Sequence, residues 1–422
     1  MTIAYILRQC SHIRAGGVKT LVSKCGLALR ILVRQIFVVV ANVLTLPIVL
    51  IIVIIRPVLV VRFGVLASHR IGHFAADTEA YMLSLQDAKA HRCQYDIVGC
   101  PVPSCNAQLE LMWRRIMDLC PGAWLWRIMD NSCQFWTRGV THHVKLYGRV
   151  DDYNRVLNTP VSLCFTPEEF AVGRALLSKL GIPSNADWVC IHNRDQSYLD
   201  ATWGGRWRYH DFRDFSVKDL VYAAEHLTER GYFVIRMGKV VDEELKIGNP
   251  KVIDYSSSGL TFDFADIFLL ANCKFHLGAC SGIACVPFIF RRPTALVNMI
   301  PISTITQFQS APVIFKLVWD KNLCKYLSLR ELFITGAADL HNTYQFEEAG
   351  LELKCNVPEE ICDLAIEVDN RLNGQWISHP EDDQLQERFW EIYRELAPSD
   401  LPRNVQARIG TAFLRKHQYL LD

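Results

Sequence analysis

The chain has 422 residues, 50% of them hydrophobic and 21% charged, a balance that excludes a disordered protein and gives length for two to three domains with buried cores. Its 45 basic and 44 acidic residues leave a net charge of +1, so nothing global points to nucleic acid as a partner. That neutrality is a cancellation: nine basic residues precede the first acid, Asp77, giving +9 for residues 1–76 and −8 for the remainder. Segregation of this size sets the basic end against an anionic surface.

Residues 36–55, between Arg34 and Arg56, carry no charge and are almost wholly aliphatic. As a helix, twenty residues extend about 30 Å, the thickness of a bilayer's hydrocarbon core. The alternative is a buried core helix, but such helices usually keep a polar stripe, and this run has only Asn42 and Thr45. It begins too late and runs too long for a cleaved signal peptide. Residues 3–34 set Ile, Leu and Val among Arg and Lys, the pattern of an amphipathic helix on anionic lipid, interrupted at Gly16-Gly17. A mitochondrial transit peptide shares that composition, but not the long apolar run behind it.

Six basic residues before the apolar run, against Arg56, Arg62 and Arg70 after it, favour a cytoplasmic N-terminus and an external body. Pro47 allows the opposite outcome, a broken helix that dips in and returns to the same face. The 15 cysteines are scattered without a CxxC pair and read as buried free thiols of a reducing compartment, which favours a body facing the cytoplasm.

From Pro57 onward, short β-branched runs alternate with helical stretches. PVLVVRFGVL reads as a strand, ASHRIGH as a turn, FAADTEAYMLSLQDAK as a helix and YDIVGCPVP as a second strand. Residues 106–147 read as helical, with Trp113, Trp124, Trp126 and Trp136 assigned mostly to core packing. TPEEFAVGRALLSKLGI carries Thr166 as N-cap, Pro167 at the first helical position, Glu169 closing a capping box and Gly181 as terminator. IPSNAD is a linker. DWVCIHNRD, YFVIRMG, NPKVIDYS, KFHLGAC and TALVNMI then read as strands, joined by the helices SVKDLVYAAEHLTERG, FDFADIFLLANC and SGIACVPFIF. This grammar implies α/β architecture with a parallel, doubly wound sheet, and two Rossmann-like halves facing a cleft.

In such sheets ligands lie outside the carboxyl ends of the strands. After the first strand of the second half come His192, Arg194 and Asp195, where Arg can grip a phosphate and His or Asp can act as base or orienter. A strand-end ion pair between Arg194 and Asp195 is the plainer alternative. The following loop adds His210, Asp211 and Arg213; Arg236 and Gly238 end the next strand. Ser281 and Gly282 leave a later strand and open a helix, either an anion site for a diphosphate or a tight turn. Arg70, Gly72 and His73 open a helix in the first half, on the acceptor side, where His73 is a base or a structural histidine.

No Asp-x-Asp follows a hydrophobic strand, since Asp151-Asp152 and Asp382-Asp383 are adjacent pairs, and HExxH and GxSxG are missing. Metal and serine-hydrolase chemistry lose weight accordingly, and neither a metal nor a cofactor is expected.

The segments RIGHFAADTEAY, CIHNRDQSYL, YHDFRD, GYFVIRMG, NPKVIDYS, DIFLLANCKFHLGACSGIACVPFIFRRP and LSLRELF together resemble a family of bacterial glycosyltransferases encoded with surface-polysaccharide genes. The resemblance covers about residues 60–335 and implies a GT-B fold. More distantly, HNRD and the SG turn resemble the donor motifs of GT-B fucosyltransferases, in which the Arg after His binds the donor diphosphate without metal; this carries over to Arg194. Asp195 follows Arg194 directly, a departure from that pattern which leaves fucose in doubt as the sugar.

The resemblance implies a nucleotide diphosphate sugar as donor, a glycan or lipid-linked acceptor, and a bacterial inner-membrane location with the catalytic part facing the cytoplasm. His73, Asp195 or His210 would deprotonate the acceptor; Arg194 and the Ser281-Gly282 turn would stabilise the leaving diphosphate. His192, Arg213, Arg236 and Gly238 join the donor side, and Glu331 either binds the sugar or caps a helix. The expected organisation is a basic membrane segment over 1–56, an acceptor domain over 57–182, a nucleotide-sugar domain over 183–335 and a helical extension over 336–422. Two alternatives stand beside it: a non-catalytic membrane-anchored scaffold, for which Arg194 and Ser281 need not share a cleft, and a nucleotide-sugar epimerase, which leaves the apolar run without a purpose.

Overall fold

The computed structural model describes residues 3–88, 93–148, 153–204, 207–307, 312–397 and 407–422. Asp151-Asp152 lie outside them. The chain forms two compact units, the first from residues 1–65, 90–100 and 119–144, the second from 66–89, 101–118 and 145–422. The charge split follows this division: the first unit holds eleven basic residues against two acids, net +9, and the second 34 against 42, net −8.

The first unit is built on the helix Ile3–Ile55, which runs through Gly16-Gly17 and Pro47 without a break. Around Pro47 the packing of Thr45, Val49 and Ile52 overrides local propensity. Asn42, Thr45, Val49 and Ile52, at spacings of three, four and three, form one buried stripe. The helix Ala123–Thr137 packs on it, and Val49 and Ile52 share a core with Phe63, Met129 and Cys133. Beside them lies a parallel sheet of β1 (Val60–Val65), β2 (Gln94–Gly99) and β3 (Leu119–Cys120). Arg62 and Asp96, opposite each other on β1 and β2, pair at 2.6 Å. Of the four tryptophans, most of them expected in the core, Trp113 in the second unit is fully buried and Trp126 packs against the core of the first. Trp124 and Trp136 do not, being 69% and 41% exposed.

The second unit contains a seven-stranded, wholly parallel sheet. Its strands are β4 (Trp188–His192), β5 (Phe233–Arg236), β6 (Val252–Asp254), β7 (His276–Ala279), β8 (Thr294–Met299), β9 (Pro312–Phe315) and, after an antiparallel sheet of β10 (Leu317–Asp320), β11 (Lys325–Tyr326) and β12 (Leu351–Lys354), β13 (Arg408–Ile409). The order is β13-β9-β8-β7-β4-β5-β6. The chain moves outward from β4 to β6, then crosses back to place β7 on the other side of β4. That reversal is the topological switch point, where a crevice opens at the carboxyl ends of β4 and β7.

The helices Ile71–Ala88 and Ala107–Arg114, expected with the strands of the first half, belong to the second unit. Buried Glu79 receives Arg291 at 2.6 Å, and the Trp113 indole donates to the Phe74 carbonyl at 3.1 Å. The capping box at Thr166 and Glu169 forms as expected, and Glu169 also holds Arg115 at 2.6 Å. Residues 336–422 are not a separate extension: they supply β12 and β13 to the two sheets, and the helix Pro358–Leu372 packs on Val221–Glu229.

The chain's end is fixed by Glu360, whose Oε1 accepts from Lys416 Nζ at 2.6 Å and from His417 Nε2 at 2.7 Å. Burial alone would raise this carboxyl, but His417 and Lys416 bring it down to about 2. A depressed acid stabilises the fold above its unfolded value near 4.5, and that contribution fades as pH falls toward 2. Glu360→Gln is therefore expected to lower stability at pH 7 by about 2–3 kcal/mol and to flatten the loss of melting temperature between pH 4.5 and pH 2, read by thermal unfolding. An unchanged acid limb would show that the pair contributes nothing.

Candidate functional site

At the carboxyl end of β4, buried Asn193 accepts from Arg236 Nη2 at 3.2 Å and donates to the Phe215 carbonyl at 3.2 Å. These bonds turn the chain so that Arg194 lies beneath the surface. Its Nη1 donates to the His210 carbonyl at 3.1 Å and to the Asp214 carboxylate, while Nη2 has no partner among the described residues. Arg213 Nε and the Nδ1 atom of His210 are likewise buried and unpartnered.

Charge at this point is unbalanced. Burial and the neighbouring Arg213 lower the Arg194 guanidinium to about 10, against the pull of Asp211 and Asp195. Burial, with Arg70 close by, also lowers Arg213. His210 falls to about 4 through burial and the combined field of Arg213, Arg194 and Arg70, so it is neutral at pH 7. Buried Lys316, just past β9, donates to the Asp214 carbonyl at 2.7 Å and is lowered by burial. Burying guanidinium N–H groups without acceptors carries a penalty that an anion placed between them would remove.

His192 Nδ1 lies 3.4 Å from Ser281 Oγ, so the motifs that follow β4 and β7 meet at the switch point. Burial, then His276, Arg236 and Arg194, keep His192 well below the ordinary imidazole range. The element after Ser281 is a three-residue turn followed by the short helix Cys285–Ile289, not the long helix whose dipole would hold a diphosphate. The glycines of this turn instead permit contact. A Cβ on Gly72 would lie 2.8 Å from Gly282 Cα, so the helix Ile71–Ala88 begins directly against the turn.

That approach brings His73 beside Ser281-Gly282. His73 Nδ1 bonds Asp77 Oδ2 at 2.9 Å, and its ring stacks on Tyr147 at 4.2 Å. Fully buried Asp77 also accepts from the Gly148 N–H at 3.1 Å. A carboxylate on Nδ1 fixes the tautomer that leaves Nε2 as an acceptor, the geometry of an oriented general base.

Other expected residues take structural parts. Arg236 is fully buried, bonding Asp254, Ser256 and Asn193; it positions the strand end rather than facing a ligand. Asp195 accepts from the backbone N–H groups of Ser197 at 3.0 Å and Asp242 at 3.2 Å, tying two loops together rather than standing free as a base. A Cβ on Gly238 would meet Val241 Cγ1 at 2.6 Å, so the glycine serves loop packing. Glu331 closes a capping box with Ser328 and pairs with Lys325 at 2.6 Å, which favours the helix cap over a sugar contact.

Beside Arg194 opens a pocket of about 570 Å³ whose walls carry Asp195, Asp200, Asp214, Asp242 and Glu243. Carboxylates repel phosphate and accept from hydroxyls, so this wall suits a polyol and the arginine side suits an anion. Among the described residues no cluster of three or more His, Cys, Asp or Glu side chains has the arrangement of a metal site.

No protein-family model matches the sequence, and no curated protein is similar to it. Among solved structures, the chain is similar to the E. coli ADP-heptose lps heptosyltransferase II, with 14% identity over 61% of this chain and 90% of that one. The TM-score is 0.36, a likeness too distant to carry fold or function.

Alanine normally stabilises a helix relative to glycine by about 1 kcal/mol. Gly72→Ala is expected to do the reverse, destabilising by about 1–3 kcal/mol because its Cβ must displace the Gly282 backbone. A raised melting temperature would mean that the helix and the turn do not touch.

Proposed function

We propose that this protein is a membrane-associated GT-B glycosyltransferase that moves a sugar from a nucleotide diphosphate sugar to a glycan or lipid-linked acceptor in surface-polysaccharide synthesis. The observation that carries the reading is the meeting of unpartnered, buried N–H groups of Arg194 and Arg213 with His210 at the switch point of a parallel sheet. In this reading the diphosphate lies among Arg194, Arg213 and Arg70, and ribose or sugar hydroxyls face the acid-lined pocket.

His73 Nε2 takes the proton of the acceptor hydroxyl as its oxygen attacks the anomeric carbon. The bond from that carbon to the diphosphate breaks, and the electron pair leaves with the terminal phosphate oxygen. Arg194 and Arg213 stabilise the negative charge that develops there, the part a divalent cation plays in other transferases. Asp77 holds the imidazole in the accepting tautomer and stabilises the imidazolium that forms.

The 3.4 Å approach of His192 to Ser281 weighs against a scaffold, which has no need for its two strand-end motifs to share a crevice. The apolar run weighs against a soluble epimerase. Membrane association rests on the segment Ala28–Ile55, whose most apolar 18-residue stretch has a mean hydropathy of 3.1. A cytoplasmic-facing body is supported by the cysteines: none of the 14 described is in a disulfide.

The test is a thermal-shift and donor-hydrolysis screen of purified protein against nucleotide sugars of several bases. At least one nucleoside diphosphate should raise the melting temperature, and Arg194→Ala should weaken its binding by about 10- to 100-fold. No response to any nucleotide, or an equal response in the variant, contradicts the donor site. His73→Ala should retain donor binding and lower turnover by about 10²–10⁴-fold, with Asp77→Asn shifting the pH–rate profile; full turnover without His73 assigns the base elsewhere.

A further inference from the structure

The uncharged run of the helix Ile3–Ile55 has a length that fits a full crossing of a bilayer, but its packing does not. Asn42 and Thr45, the run's only polar side chains apart from Gln35, belong to the stripe buried in the first unit. Ser132 Oγ donates to Asn42 Oδ1 at 2.8 Å, and the Trp136 indole donates to the Asn42 carbonyl at 3.0 Å. Ten residues further on, Ile52 still contributes to the core with Phe63 and Met129. Were Asn42–Ile52 at mid-bilayer, the helix Ala123–Thr137 and β1, with the Arg62–Asp96 ion pair and the His143–Asp130 pair, would be drawn in alongside. Only residues 35–41 remain between Arg34 and the packed stretch, about 10 Å of helix against the roughly 30 Å needed.

The opposite side of the same helix is open and apolar, with Leu44 71% and Ile54 74% exposed. The helix Ala123–Thr137, packed against it, carries exposed aromatic residues of its own. Trp124, Phe135 and Trp136 are exposed on it, followed by Val140, with Arg127 and Arg138 among them. Aromatic rings with arginines at their margin are the composition of a headgroup-level surface. The unit holds eleven basic residues against two acids, Asp96 and Asp130, and both acids are paired, a balance that suits anionic headgroups.

We propose that the first unit is a monotopic membrane module in which the helices Ile3–Ile55 and Ala123–Thr137 together bury one apolar face in a single leaflet of an anionic bilayer, no segment crossing to the far side. This rests on the membrane association proposed above and decides its form. The N-terminus and the chain beyond Arg56 then lie on the same side, and a lipid-linked acceptor enters from the leaflet in which the module sits.

The test uses the full chain with an epitope tag at each terminus, in flotation with phosphatidylcholine and phosphatidylcholine/phosphatidylglycerol vesicles and in protease accessibility on sealed membranes. Both tags are expected on one face, with tighter flotation on the anionic vesicles. Trp124→Ser with Phe135→Ser should weaken vesicle binding about tenfold or more while leaving the melting temperature unchanged, since both rings are exposed. Tags on opposite faces, or flotation indifferent to the double substitution, overturn the monotopic module and leave membrane association standing. No flotation of the unaltered protein on either vesicle overturns both, and self-association lost in the double variant would assign the face to a second copy.

Discussion

At the carboxyl end of a parallel sheet, buried Arg194 and half-buried Arg213 each hold a buried N–H that has no acceptor among the described residues. The surroundings are arranged around that deficit. Asn193, held by fully buried Arg236, sets the direction of the strand end. Asp214 and the His210 carbonyl satisfy one nitrogen of Arg194 and leave the other open. The Gly72–Gly282 approach sets the start of the helix that carries the His73–Asp77 pair against the turn after β7. Buried N–H groups without protein acceptors are satisfied by an anion bound between them, and that binding adds to stability.

Charge is divided between the units as sharply as function is proposed to be. The +9 unit carries the apolar helix and exposed aromatics, and the −8 unit carries the switch point and its acid-lined pocket. Within the acidic unit four cations, Arg70, Arg194, Arg213 and Lys316, gather at the strand ends. Focusing of this kind gives an anionic donor a local attractive field inside a body whose overall sign would repel it.

Much of the second unit was legible in the sequence, because apolar β-branched runs ending in charge announce strands that open onto a crevice. His192, Arg194, Ser281 and the loop from His210 to Arg213 were singled out in that way, and His192 and Ser281 lie 3.4 Å apart. Less legible were β9 and β13, short strands separated by nearly a hundred residues, and with them Lys316. Asp77 looked like one more polar residue of a helix; only its place one turn after His73 hinted at the pair. Glu331 takes the helix-cap alternative that the sequence left open, and Arg236 sits in a buried network, because such networks and capping boxes use the same residue types as ligand sites. Asn42 and Thr45 were read as the lack of a polar stripe, yet they belong to the stripe that docks the helix. Trp124 and Trp136 were assigned to a core because large aromatics usually are, a rule that gives way where the surface itself is apolar.

The central claim is that the buried guanidinium groups receive a diphosphate, and a structure of the protein bound to the nucleoside diphosphate it prefers tests this most directly. The account predicts phosphate oxygens within hydrogen-bond distance of Arg194 Nη2 and Arg213 Nε, with the ribose toward the pocket walled by Asp200 and Glu243. A nucleotide bound elsewhere on the molecule, with those two nitrogens still unpartnered, would contradict it.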